Sequence, residues 1–162
     1  MSKFSYTRFW LLVGLTCSSL LVYAQQAKPR KPKPTPAQGI CGTVVEKQGN
    51  FMPGPDKPVP KGKPVVREVV IYPALTLEQV RRDEEGFITE VPGIAPVRTV
   101  KSDKQGKFCA YKLPAGRYSV LIREPKGLFG NQFDGQNHIN PETVTPRKVT
   151  RTTLEITHGA AF

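Results

Sequence analysis

The sequence runs to 162 residues with 38% apolar and 9% aromatic side chains, a composition that excludes wholesale disorder. Its 16 prolines and 14 glycines exclude a helical bundle, since a proline inside a helix costs about 3 kcal/mol and a glycine about 1. The formal charge is +11, but Lys3, Arg8, Lys28, Arg30, Lys31 and Lys33 precede residue 39, and the 18 basic against 13 acidic side chains beyond it make no dense basic face for nucleic acid.

Residues 1–24 read as a signal peptide, with Lys3 and Arg8 as its positive region, Phe9 to Leu15 as its apolar stretch and Val22-Tyr23-Ala24 as its cleavage motif. Cleavage near Ala24 would leave a secreted or periplasmic chain beginning at Gln25. A permanent anchor is the alternative, but Thr16, Cys17, Ser18 and Ser19 interrupt the apolar run, which lacks the roughly 20 residues a span needs. No transmembrane span is therefore expected in the mature chain. Lipidation of Cys17 is a third route, although Gly14-Leu15-Thr16 suits such processing poorly.

Residues 25–38 form a linker in which proline alternates with basic side chains, a pattern that prefers extended polyproline conformation. It reads as a spacer, or as an electrostatic tether to an anionic envelope surface. The domain is expected over 39–162. Ile40 to Val45 opens it as a strand, followed by polar Glu46 to Asn50. Five prolines make 53–64 a loop. Val65 to Tyr72 is the next strand, and Thr76-Leu77-Glu78-Gln79 resembles a capping box, with Leu77 and Val80 facing inward from a helical turn that Gly86 ends. Asp83-Glu84-Glu85 reads as a solvated helix end or loop. Val97 to Lys101 and Lys107 to Lys112 flank the turn Ser102 to Gly106. After the turn Leu113 to Gly116, Tyr118, Val120 and Ile122 alternate with Arg117, Ser119, Leu121 and Arg123 and mark one core face. A long Gly/Asn-rich loop, 126–141, precedes a last strand from about Val149 to Thr157 with Leu154 and Ile156 on one face. These signals predict an all-β fold: a single Greek-key-type β-sandwich of about seven strands, with at most one short helix in an inserted loop.

Once the signal is removed, Cys41 and Cys109 are the even pair that a disulfide requires in an oxidising compartment. Each is flanked by residues expected to point into the core, so both sulfurs should face outward.

Asp103-Lys104-Gln105-Gly106-Lys107-Phe108 and Leu113-Pro114-Ala115-Gly116-Arg117-Tyr118, with Gly42-Thr43-Val44 as opening strand and Leu154-Glu155-Ile156 near the close, resemble the carboxypeptidase regulatory-like domains over roughly residues 39–160. That resemblance implies a transthyretin-like, prealbumin-like β-sandwich and a non-catalytic folding, spacing or binding role. The segment 128–137 and the ending Gly159-Ala160-Ala161-Phe162 are similar to small exported Bacteroidetes proteins built on such a domain. No catalytic domain accompanies it in these residues, so regulation of a peptidase within the sequence is not expected. The cyclic-amide hydrolases of the transthyretin-like fold end in Tyr-Arg-Gly-Ser, where this sequence has Gly-Ala-Ala-Phe.

Enzymatic chemistry runs short of parts. His138 and His158 are the only histidines and fit no metal-ligand spacing, and no nucleophile elbow, phosphate loop or dinucleotide fingerprint is present. No enzyme activity, cofactor or metal is expected. Asn131, Asp134 and Asn137 carry oxygen ligands, but not at the spacing of a calcium loop. The same loop holds Phe129 and Phe133, either a stacking platform for a sugar or peptide or a lid over the sandwich edge. The candidate binding residues are thus Phe129, Asn131, Phe133, Asp134 and Asn137, with an envelope protein or carbohydrate as partner. An accessory subunit that binds a protein through a sheet edge, and an unfamiliar enzyme site around Asp134 and His138, are the alternatives.

Overall fold

The structure, a computed structural model, describes residues 37–52 and 61–162. The expected signal peptide, the linker up to residue 36 and residues 53–60 lie outside the described residues. In chain order the strands are β1 (Gly39–Asn50), β2 (Lys63–Pro64), β3 (Glu68–Pro73), β4 (Arg81–Arg82), β5 (Ile88–Glu90), β6 (Arg98–Lys101), β7 (Lys107–Tyr111), β8 (Gly116–Glu124), β9 (Gly127–Phe129), β10 (Pro141–Val144) and β11 (Val149–Ala161). Seven of them have four residues or more and carry the two sheets of a β-sandwich; the other four are short pieces at their margins.

In the first sheet β1 is central. It pairs parallel with β11 along one side and antiparallel with β7 and then β2 along the other. The second sheet runs β4-β5-β9-β8-β3-β6, with β10 continuing beside β8 where β9 leaves off. Between the sheets, Ile40, Val44, Phe108, Leu154 and Ile156 meet Val69, Ile71, Val120, Ile122 and Val144. The period-two alternation of β7 puts Phe108 and Ala110 in this core and leaves Lys107, Cys109 and Tyr111 outside.

The second face of β8 differs from expectation. Leu121 is as fully buried as Val120 and Ile122, because Val70, Tyr72, Leu75, Ile88, Leu128 and Ile139 form a second apolar cluster over the outer face of this sheet. The segments 74–94 and 126–141, expected as an inserted loop and an open loop, are that cover. The helical turn within the first is a single 3-10 turn, Leu77–Gln79, whose Gln79 Oε1 accepts the Thr76 N–H at 2.9 Å. Gly86 does not end it; Gly86 lies in the turn joining β4 to β5. Within the second, β9 and the first residue of β10 pair with β8.

The two ends of the first sheet are also longer than the sequence suggests. β1 continues through Glu46 to Asn50 because β11 accompanies it to Ala161, with Lys47 Nζ bonded to Glu155 at 2.7 Å. Beyond it Phe51 packs against Phe162 at 6.0 Å, with Lys47 over both rings. Cys41 and Cys109 stand directly opposite one another on β1 and β7, with their sulfurs 2.07 Å apart. Both lie on the outer face, but Cys41 is only 2% exposed, since its strand is flanked on both sides and its register partners are Cys109 and Arg151. Among the described residues no helix is long and apolar enough to cross a membrane.

Candidate functional site

One local device builds the turns of this domain three times. At Asp103, Oδ1 accepts the N–H groups of Gln105 and Lys107, the Asp103 N–H bonds the Lys107 carbonyl, and the Gly106 N–H bonds the Asp103 carbonyl. Gly106 takes φ +72°, and a Cβ there would stand 2.4 Å from the Val44 carbonyl oxygen, so glycine is required twice over. Asp83 repeats the pattern: its Oδ1 accepts the Phe87 N–H at 2.8 Å, and Gly86 has φ +88°. Asp134 is the third copy. Its Oδ1 accepts the N–H groups of Gln136 and His138, each at 2.9 Å, and Asn137 occupies the glycine position with φ 62°. Asparagine tolerates that left-handed conformation better than other side chains.

The third turn carries more than the other two. The Asp134 carboxylate also meets His138 Nδ1 at 2.9 Å and accepts a guanidinium N–H of Arg117 from β8, whose other arm donates to Gln136 Oε1 at 3.2 Å. Desolvation raises the Asp134 pKa, but the N–H donors of His138 and Gln136, with the Arg117 and His138 side chains, outweigh it and hold the carboxyl well below the usual carboxylate range. Below the turn, buried Asn140 ties it to the sheet: Oδ1 accepts the Gln132 N–H at 2.8 Å and Nδ2 donates to the Val120 carbonyl at 3.2 Å.

These bonds separate the residues singled out from the sequence. Asp134 and Asn137 form the turn itself. Asn131 is exposed, and its Nδ2 donates to Thr157 Oγ1 of β11 at 2.9 Å. Phe133 is 47% exposed at the surface. Phe129 is buried and belongs elsewhere, with its ring centroid 5.6 Å from Phe87 and 5.5 Å from His158. The two phenylalanines therefore do not act as a pair: one is a lid residue and the other stands free. Arg117 and Asn140 went unread in the sequence, although Asn140-Pro141 is a recognised turn signal and Asp-x-x-Asn-x at 134 parallels Asp-x-x-Gly-x at 83 and 103.

A second polar cluster bridges the two sheets. Glu124 of β8 is buried and accepts the Arg67 Nε–H at 2.7 Å, while His158 Nε2 of β11 lies 3.3 Å from its other oxygen. The described surface also has a groove of about 660 Å³ lined by Gln38, Tyr111, Lys112, Leu113, Pro114 and Arg147. Another, of about 390 Å³, lies over the disulfide between Lys107 and Arg151. Among the described residues no three His, Cys, Asp or Glu side chains gather as metal ligands.

The Asp134 turn sets a pH expectation. A carboxyl held below its unfolded value contributes stability that is complete above the ordinary carboxylate range and is lost as pH falls through the folded value. Asp134→Ala should lower the melting temperature at neutral pH and flatten its fall in acid. Asn137→Gly should leave it unchanged or slightly raised, because the position already has positive φ. Thermal melts of both variants between neutral and acid pH check this.

No family model matches the chain, and no curated protein is significantly similar to it.

Proposed function

We propose that this chain is an exported, non-catalytic β-sandwich module of the carboxypeptidase regulatory-like kind, which binds envelope carbohydrate through the face around Phe133. The observation that carries the reading is the contrast between a fixed base and a free aromatic. Asp134, Arg117, His138 and Asn140 bond the turn to itself and to β8, while Phe133 remains nearly half exposed beside the exposed amides of Asn131, Gln132 and Gln136. An aromatic ring stacks on the apolar face of a sugar, amides bond its hydroxyls, and a preordered platform loses little entropy on binding. Placing the face on a loop held by a rigid sheet is the usual arrangement for recognition in sandwiches.

The Asp134–His138 contact invites a catalytic reading, in which the carboxylate orients a base. Here the same oxygens also accept Arg117 and two N–H groups, so the contact closes a turn in the manner of Asp83 and Asp103. The binding reading is tested by Phe133→Ala with soluble glycan released from the cell envelope as probe. Affinity should fall roughly three- to tenfold, the worth of one aromatic stack, with the melting temperature unchanged. Undiminished affinity would remove Phe133 from the site. Mass spectrometry of the exported protein should find Gln25 first; acylated Cys17 would instead indicate an anchored protein.

A further inference from the structure

The first sheet has one long open side. β11 pairs with β1 along one edge, and no described strand pairs with the other. From Val149 to Ile156 the register with β1 is unbroken, the first irregularity coming after Glu46 and Ile156, and the stretch contains no proline. Natural edges of this length are normally blunted by proline, bulges or inward charges, so an unblunted one is a template for another strand.

The hydrogen-bonding phase of that edge is fixed. The Gly39 N–H bonds the Lys148 carbonyl at 3.2 Å, and a Cβ on Gly42 would lie 2.3 Å from the Thr152 carbonyl oxygen. In a parallel ladder alternate residues turn both main-chain groups to the same neighbour. Thr150, Thr152, Leu154 and Ile156 therefore serve β1, and Val149, Arg151, Thr153 and Glu155 present their N–H and C=O groups to the open side.

We propose that β11 pairs antiparallel with β11 of a second copy of this chain, about a two-fold axis at Thr153. Thr153 then faces its own counterpart as a hydrogen-bonded pair, and Arg151 faces Glu155 of the second copy twice by symmetry. The side chains of 151, 153 and 155 share the outer face of the sheet with Cys41, Thr43 and Val45. Arg151 is exposed and makes no ion pair among the described residues, whereas Glu155 already bonds Lys47 with one oxygen and has the other to offer. The self-complementary charge and the outward main-chain groups select the same centre, and this coincidence argues for a second copy over a foreign strand. The result is one continuous sheet across two sandwiches.

Sedimentation velocity on the purified protein over a concentration series tests the pairing. The wild type should dimerise. Arg151→Glu and Glu155→Arg should each raise the dimer dissociation constant about tenfold or more, since each puts like charges opposite one another at two sites. The double charge swap should restore it. Thr153→Pro removes an outward N–H that β1 does not use, so it should abolish the dimer with little loss of melting temperature. A monomeric wild type, whatever extended peptides it captures, would overturn the proposal, as would a dimer insensitive to Thr153→Pro or single charge reversals that the swap does not rescue.

Discussion

Reduction of the Cys41–Cys109 bond should lower the melting temperature by on the order of 10–20 °C. The bond joins residues 68 apart in sequence, and closing a loop of that size in the unfolded chain is worth about 4 kcal/mol on the chain-entropy model. Each kcal/mol shifts the midpoint of a domain this size by a few degrees. The cysteines are directly opposed on neighbouring strands, and Cys41 is buried, so the bond joins two strands that are already paired in the sheet. Binding at the Phe133 face should survive reduction below the new midpoint, since the bond lies on the other sheet. Differential scanning calorimetry with and without reductant measures the shift. A change of only a degree or two would mean that the paired strands hold themselves together unaided.

Leu121→Ala should cost about 2–5 kcal/mol, the same class of loss as Ile122→Ala, although the two side chains point to opposite faces of β8. Both are fully buried, Ile122 between the sheets and Leu121 under the segments 74–94 and 126–141. A Cβ on Gly130 would stand 2.8 Å from a Leu121 methyl, so the loop bearing Phe133 rests directly on this side chain. The cavity left by alanine should therefore loosen the loop as well as destabilise the domain, and glycan affinity should fall with it. Denaturant unfolding of the two alanine variants checks the equality. A Leu121→Ala cost within about 0.5 kcal/mol of zero would be the behaviour of a surface position and would contradict the second cluster.

Leu121 also shows where reading the sequence stops. Around it Arg117, Ser119 and Arg123 supply polar alternation, which reads as a strand with one wet face. The partners that dry that face, Val70 of β3, Leu75 and Ile88 of 74–94, and Leu128 and Ile139 of 126–141, come from three separate stretches, and no local period announces their meeting. The apolar runs Val69 to Tyr72 and Val120 to Ile122 are the local signs of strands buried on both sides. Ser119 explains the rest of the disguise: it is buried, but its hydroxyl accepts the Leu75 N–H at 2.9 Å and so tolerates an apolar setting.

Elements whose chemistry is local were legible. Gly106 and the Asp103 cap made the turn before β7 readable, and period-two alternation placed Phe108 and Ala110 inward and both cysteines outward. The Thr76–Gln79 pairing was legible too, but one capping contact cannot extend a helix when Val80 is drawn into the sheet's outer cluster. At the candidate site the residue types were visible and their division of labour was not. Asp134 and Asn137 read as donors and acceptors for a ligand because their obligations to Gln136, His138 and Arg117 depend on the turn that they themselves create. Phe129 and Phe133 looked alike in sequence, and only the distant residues Phe87 and His158 decide which ring is covered.

Backbone amide chemical-shift mapping during titration with soluble envelope glycan tests the binding account most directly. The largest shifts should fall on Asn131 to Asn137 and on Arg117 beneath them, and the same titration of Phe133→Ala should show them weakened. Shifts centred instead on the groove of Tyr111, Pro114 and Arg147, or no shifts at saturating glycan, would contradict it.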